Sequence, residues 1–102
     1  MVEVKWTDQS IDDINNIAEF IAKDSVKYAQ LQVRIFFETC KILEQFPNTG
    51  RIVPEKGKEN IRELIVGSYR IIYHIISVEY IDILTVHHSH RILKLKTIRK
   101  RQ

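Results

Sequence analysis

The chain has 102 residues, with 16 Lys and Arg against 13 Asp and Glu, and a formal net charge of +3. Its 44% hydrophobic and 28% charged residues are ordinary for a soluble globular protein, and the length predicts one domain with a modest two-layer core. Because no apolar run approaches about eighteen residues and no signal-peptide pattern opens the chain, we expect no membrane span and a cytoplasmic location.

The small net charge hides an asymmetry between the two halves. Residues 1–45 hold five Lys and Arg against eight Asp and Glu, whereas residues 46–102 hold eleven against five. A basic half favours a polyanionic partner, which could be nucleic acid or an acidic protein segment.

The first elements predicted along the chain are a strand and a helix. Residues 2–6 alternate apolar and charged side chains, which is typical of a short half-buried strand at the edge of a sheet. Ser10 and Asp13 have the spacing of a capping box, so the first helix is predicted to run from Ile11 to about Ala22.

A second helix is predicted after a cap at Ser25, with two apolar stripes. The first stripe has steps of four and three residues and consists of Ala29, Val33, Phe36, Cys40 and Leu43. The second stripe is Leu31, Ile35 and Ile42. Our favoured interpretation buries both stripes, one against the sheet and one against the first helix; the alternative is a groove or patch for a partner chain. Cys40, the only cysteine, is expected to be a buried hydrophobe rather than a nucleophile.

The rest of the chain predicts an antiparallel three-strand meander. Pro47 and the turn residues up to Gly50 end the second helix, and residues 51–60 are predicted to be a polar loop. Runs rich in β-branched and aromatic residues follow at 61–66, 69–76 and 80–88. A Gly-Ser pair at 67–68 suits a two-residue hairpin with glycine at its first central position, and residues 77–79 form the second turn.

Two arginines fall inside predicted strands, where a buried guanidinium needs a partner. Arg62 and Arg70 could each pair with a carboxylate such as Glu63, Glu55 or Asp82. Alternatively, they could line a concave basic face that meets phosphate or an acidic partner. Whether they share a face depends on the pairing register, which the sequence leaves open.

Three histidines near the end of the last strand are candidate metal ligands, and two of them, His87 and His88, are also candidate catalysts. His87 and His88 are adjacent strand residues and point to opposite faces, and no Cys or carboxylate joins them or His90 at ligand spacing, so we predict neither metal nor cofactor. Metal-independent RNA cleavage needs an acid, a base and cations around the phosphate. The residues that could supply this chemistry are His88 or His87 with Arg62, Arg70 and Arg91. For each histidine the alternative is a strand-end residue bonded to a backbone carbonyl.

An ordered set of short motifs runs from about Val2 to Leu93. The set comprises Trp6-Thr7 after a short strand, Asp24-Ser25 in the helical hairpin, Phe46-Pro47-x-x-Gly50-Arg51-x-Val53-Pro54-Glu55, Ile61-Arg62-Glu63, Tyr69-Arg70-Ile71-x-Tyr73 and Val86-His87-His88-x-x-Arg91. In this order the chain resembles the RelE/ParE superfamily of toxins from bacterial type II toxin–antitoxin modules, also called plasmid stabilisation proteins.

The resemblance implies an α+β fold of topology β-α-α-β-β-β, with a helical hairpin packed on a small twisted antiparallel sheet. It implies a toxin domain over residues 1–93 and a basic C-terminal tail over 94–102. It also implies a cognate antitoxin that neutralises the toxin in a hetero-oligomer, with these candidate partner-binding residues: Leu31, Ile35, Ile42, Arg62 and Arg70. No membrane partner is expected.

The superfamily divides by target. ParE-like members poison DNA gyrase, whereas RelE-like members are mRNA interferases that cut mRNA on the ribosome. The Phe-Pro-x-x-Gly-Arg run and the Val-His-x-x-x-Arg ending are more similar to ParE, and no tyrosine follows Tyr80 to match the terminal tyrosine of some RelE enzymes. We therefore expect a gyrase inhibitor. The alternatives are an mRNA endonuclease that uses His87 or His88, and a non-toxic homologue that has kept only antitoxin binding.

Overall fold

The computed structural model describes residues 1–89, in which two helices pack on one face of a five-stranded sheet. The elements are β1 (Glu3–Trp6), α1 (Asp8–Ala22), α2 (Val26–Cys40), β2 (Arg51–Ile52), β3 (Ile61–Val66), β4 (Tyr69–Ile75) and β5 (Tyr80–His88), with a 3₁₀ turn at Lys41–Glu44 that extends α2. The predicted α+β class and the helical hairpin on a sheet are confirmed. Among residues 1–89, neither helix is long and apolar enough to cross a bilayer.

The strands lie in the order β1-β5-β4-β3-β2. The predicted meander is confirmed, because β3, β4 and β5 pair antiparallel in sequence and Gly67 adopts a φ of +58° at the first hairpin. The predicted edge position of β1 is also confirmed, but β1 runs parallel to β5, so the sheet is mixed rather than wholly antiparallel. The sequence did not predict the parallel pairing, because the residue pattern within β1 does not depend on whether its neighbouring strand runs parallel or antiparallel to it.

The sequence predicts a loop for the whole of residues 51–60, but the structure has a short strand at the start of this segment. Arg51 and Ile52 form β2 and pair antiparallel with Glu63 and Arg62 of β3. A strand of two residues is too short to produce a period-two pattern, which is why the sequence does not reveal it.

The first helix begins earlier than predicted, and its cap is Thr7 rather than Ser10. The Thr7 hydroxyl accepts from the Ser10 N–H at 3.2 Å and donates to the Ile83 carbonyl at 2.7 Å. Asp13 does not complete a capping box, because its carboxylate accepts a hydrogen bond from the backbone N–H of Val86 at 2.9 Å. Bonds to β5 therefore decide where α1 begins.

The main core lies between the helices and the sheet. The predicted first stripe is confirmed: Val33 is half-buried, and Ala29, Phe36, Cys40 and Leu43 are buried. Burial raises the pKa of the Cys40 thiol to about 12, so the thiolate needed for nucleophilic attack is scarce at neutral pH. This agrees with the expected structural role of the cysteine.

A second, smaller core covers the opposite face of the sheet. Val53, Ile61 and Ile72 are buried there, with Leu84 packed against them. The loop of residues 53–60 holds this core, and its end is bonded to β4 by the Asn60 carbonyl, which accepts from the Ile75 N–H at 2.8 Å. The centre of the sheet is therefore covered on both faces.

Candidate functional site

The two strand arginines lie on opposite faces of the sheet. Arg62 pairs with Tyr73 across β3 and β4, and Arg70 pairs with Ile65. Cross-strand partners share a face, and Tyr73 belongs to the core beneath the helices, so Arg62 faces the helices and Arg70 faces away from them. The hypothesis of one basic face that contains both arginines is therefore wrong.

Arg70 is buried and paired with carboxylates, as the first of our two interpretations predicted. Its Nε donates to Glu63 at 2.5 Å, and its two terminal nitrogens donate to Glu55 at 2.9 and 3.2 Å. Only 1% of the Arg70 side chain is exposed. Glu63, itself buried, also accepts from Arg51, whose side chain is largely exposed. These four residues form a charge cluster in which two cations balance two anions.

The cluster shifts the pKa values of two of its members, Glu55 and Arg70. Hydrogen bonding from the Arg70 guanidinium lowers the pKa of the Glu55 carboxyl below its usual range and outweighs the opposing effect of burial. For Arg70, burial acts to lower the pKa, but the hydrogen bonds and charges of Glu55 and Glu63 together raise it. Both shifts favour the ionised forms of Glu55 and Arg70 near neutral pH.

We expect Glu55 to make the stability of the fold depend on acidity. Because the folded-state pKa of Glu55 lies below its ordinary value of 4.5, its contribution is complete above that pH and is lost as the pH falls through the lower folded value. Denaturant midpoints measured between pH 7 and pH 3 should show this loss. Glu55→Gln should have a smaller dependence on pH in that window. An identical dependence in the variant and the parent chain would contradict the assignment.

Arg62 and Tyr73 hold the segment that follows α2. The Arg62 guanidinium donates to the backbone carbonyls of Gly50 at 2.9 Å and Glu59 at 3.0 Å. The Tyr73 hydroxyl donates to the Pro47 carbonyl at 2.7 Å and accepts from the Gly50 N–H at 2.9 Å. Burial raises the pKa of Tyr73, which keeps this donor protonated. Three of the motifs that carry the family resemblance, those containing Gly50, Arg62 and Tyr73, are thus joined by hydrogen bonds.

The histidines that we considered as catalysts also lie on opposite faces. His87 lies opposite Arg70, with its Nε2 atom 3.0 Å from the Thr85 hydroxyl. His88 lies opposite Tyr69 on the helix face, and the centres of their rings are 5.2 Å apart. The candidate catalytic residues of the described chain therefore form two pairs by face, Arg70 with His87 away from the helices and Arg62 with His88 on the helix side. The Arg70 guanidinium already binds two carboxylates, and the Arg62 guanidinium donates to backbone carbonyls.

Several sequence predictions fall on residues 90–102, outside the described part of the chain. They are His90, Arg91 and the predicted basic tail. Within residues 1–89, no three His, Cys, Asp or Glu side chains are grouped as metal ligands.

The basic excess predicted for the second half does not lie on the sheet. Residues 46–89 hold five Lys and Arg and five Asp and Glu, whereas residues 90–102 hold six Lys and Arg and no acidic residue. The sheet and its loops therefore contribute no net positive charge, and the excess of the second half comes entirely from residues 90–102.

The second apolar stripe of α2 is exposed, so our favoured interpretation of it was wrong. The exposed fractions of Leu31, Ile35 and Ile42 are 42%, 36% and 44%. The first helix approaches α2 on another side, where Val26 and Ala29 help to line an open apolar groove of about 390 Å³ between the helices. The stripe therefore faces solvent, as the alternative of a partner surface requires.

Sequence reasoning missed two further exposed apolar side chains near this stripe. Tyr28 is 66% exposed and lies three residues before Leu31. Phe46 is 59% exposed, and its N–H donates to the Ile42 carbonyl, which places it one turn beyond that residue. The spacing of Tyr28 was visible in the sequence, but only the structure shows that its side of α2 is uncovered.

Comparison with known proteins shows a family model and solved structures to which the chain is similar. The family model described as "ParE toxin of type II toxin-antitoxin system, parDE" matches residues 4–93. The solved structure titled "Chromosomal ParDE TA system from P. aeruginosa" is similar with a TM-score of 0.71, at 22% identity, over 86% of this chain and 96% of that chain. At that identity the likeness shows the fold alone. No curated protein sequence matches the chain.

Proposed function

The chain belongs to the ParE toxin family of type II toxin–antitoxin systems, and from that premise we propose that it inhibits DNA gyrase by binding. In this proposal the toxin acts in the cytoplasm and is neutralised there by a cognate antitoxin in a hetero-oligomer.

The observation that carries the choice of binding over RNA cleavage is the state of Arg70. A cation that stabilises a phosphorane must reach the phosphate. Arg70 is 1% exposed and bound to Glu55 and Glu63, and Arg62 lies on the other face, bonded to backbone carbonyls. This arrangement favours structural roles for both arginines over contact with a phosphate.

The antitoxin surface that we propose is the exposed stripe of Leu31, Ile35 and Ile42. Apolar side chains on one side of a helix, uncovered in the free chain, are what a partner that folds on binding would bury. Arg62 and Arg70, the other residues predicted for this role, are engaged within the fold, so we place the recognition of the antitoxin on α2.

The proposed target predicts two results. Purified chain at a stoichiometric amount should abolish most supercoiling by purified gyrase, and addition of the protein encoded by the adjacent gene should restore it. Induced expression in a bacterial host should stop DNA synthesis and cause filamentation while pulse-labelled protein synthesis initially continues.

Other outcomes of the same experiments would point elsewhere. Undiminished supercoiling, with an early arrest of translation and transcripts cut inside codons, would instead favour the mRNA endonuclease. His87→Ala and His88→Ala would then be the variants to test for loss of toxicity. Unaffected growth despite abundant folded protein would favour a homologue that only binds antitoxin.

A further inference from the structure

Arg51 is an exposed arginine that a buried carboxylate holds in place. Its Nε atom donates to Glu63, whose side chain is 0% exposed, whereas the side chain of Arg51 is 60% exposed. Among the described residues, no acceptor binds the two terminal nitrogens of Arg51. A guanidinium that is already fixed at one end loses less conformational entropy when it binds a second partner. The terminal nitrogens are therefore oriented toward an anionic group outside the described chain.

The sheet is open beside Arg51. β2 pairs only with Arg62 and Glu63 of β3, so within residues 1–89 no strand covers residues 64–66 on this side. Ile65 lies on the same face as Glu63 and Arg51 and is 54% exposed. We call Arg51, Ile65 and the open side of residues 64–66 the β2 edge. An uncovered strand edge beside an exposed apolar side chain is a place where another protein chain can bind.

The segment that starts at β2 makes this end of the sheet basic. Three of its side chains are exposed cations: Arg51, Lys56 and Lys58. Among residues 51–60 only Glu59 is an exposed carboxylate, because Glu55 is paired with the buried Arg70. A partner with acidic residues would complement this charge.

We propose that the β2 edge is the surface that contacts gyrase, with the terminal nitrogens of Arg51 bound to a carboxylate of the target and Ile65 packed beside it. This inference rests on the proposed function, because gyrase is the partner it describes. It adds the face of the toxin that binds the target and the acidic character of the segment that is bound.

The apolar part of the β2 edge favours a protein over DNA as the occupant. Contacts to a DNA backbone come from polar and cationic groups, and they would leave Ile65 uncovered. In protein interfaces, apolar side chains and arginine are buried together, and arginine is among the residues that contribute most to affinity. A second copy of this chain is disfavoured, because a two-fold axis at this edge would bring the three exposed cations next to their own equivalents.

The test measures the affinity of the chain for purified gyrase without DNA, by calorimetry. Arg51→Lys keeps a cation beside Glu63 but removes the terminal nitrogens, so we expect binding about tenfold weaker. Ile65→Ala should weaken binding about fivefold. Both side chains are more than half exposed, so the urea midpoints of the two variants should match that of the parent chain.

Matched controls make similar changes elsewhere on the surface. Arg34→Lys on α2 and Val78→Ala between β4 and β5 alter exposed side chains outside the β2 edge and should bind gyrase like the parent chain. The protein encoded by the adjacent gene provides a second control, because it should bind Arg51→Lys as tightly as it binds the parent chain.

Four results would overturn the inference. Parent-like affinity of Arg51→Lys and Ile65→Ala for gyrase would remove it and leave the proposed function intact, whereas no binding by the parent chain would remove both. An equal loss of affinity for the adjacent-gene protein would assign the β2 edge to that partner or to folding. A loss of affinity for duplex DNA alone would identify a phosphate as the group that Arg51 binds.

Discussion

Replacing Arg70 by methionine is expected to lower the free energy of unfolding by about 3–5 kcal/mol, because two carboxylates would remain buried without their cation. The side chains of Glu63 and Glu55 are 0% and 9% exposed in the folded chain. Denaturation in urea, followed by circular dichroism, measures the change directly. A cost below about 1 kcal/mol would contradict a buried ion cluster, since that is the range of exposed pairs.

The matched control removes the anions as well as the cation. Arg70→Met combined with Glu63→Leu and Glu55→Leu should recover much of the lost stability, since apolar replacement of a whole buried cluster is often close to neutral. Arg51 then loses its carboxylate, but its side chain is 60% exposed and should lose little. If the triple variant is as unstable as the single one, the loss of unfolding free energy comes from poorer packing of the new side chains rather than from unpaired buried charge.

Replacing Gly50 by alanine is expected to cost about 3 kcal/mol, because the added methyl group has no room. A Cβ atom at this position would lie 2.5 Å from the Glu63 carbonyl oxygen and 2.7 Å from the Tyr73 hydroxyl. The carbonyl oxygen belongs to a paired strand and cannot move aside without breaking the sheet. The same shift would lengthen the hydrogen bond from the Gly50 N–H to Tyr73.

Two other glycines provide the comparison for Gly50. Gly57 and Gly67 have φ of +62° and +58°, and a Cβ atom at either would meet nothing within 4 Å. Alanine at these positions should cost only the backbone strain of about 1–2 kcal/mol. Equal losses at all three positions in urea denaturation would contradict the crowding argument for Gly50.

These two predictions concern residues that also carry the family resemblance. Gly50, Glu63, Arg70 and Tyr73 all belong to the motifs by which the chain resembles the RelE/ParE superfamily, and each has a contact that stabilises the fold. The motifs are therefore good evidence of fold and family. They say little about the target, because the surfaces left free to bind, such as the exposed stripe of Leu31, Ile35 and Ile42, lie largely outside them.

Periodicity alone gave the helices, the main strands and the residues of the main core. The stripe from Ala29 to Leu43 is buried as its spacing required, and the three runs after Asn60 form the meander. Ser25 caps α2, since its hydroxyl accepts from the Tyr28 N–H. Each of these features depends on near neighbours in the chain, so a local pattern was sufficient to predict them.

The tertiary structure decided which of several equivalent partners each polar or apolar group would meet. Arg62 and Arg70 had the same choice of carboxylates in the sequence, and only the register placed them on opposite faces. The cap at Thr7 depends on a bond to β5. In the sequence, Leu31 and Ile35 were as good candidates for burial as the residues of the first stripe. They are exposed because a helix packed against one sheet and one neighbouring helix can bury only two of its sides. The sequence thus determined the elements and the family, whereas long-range packing determined which surfaces remain free to bind.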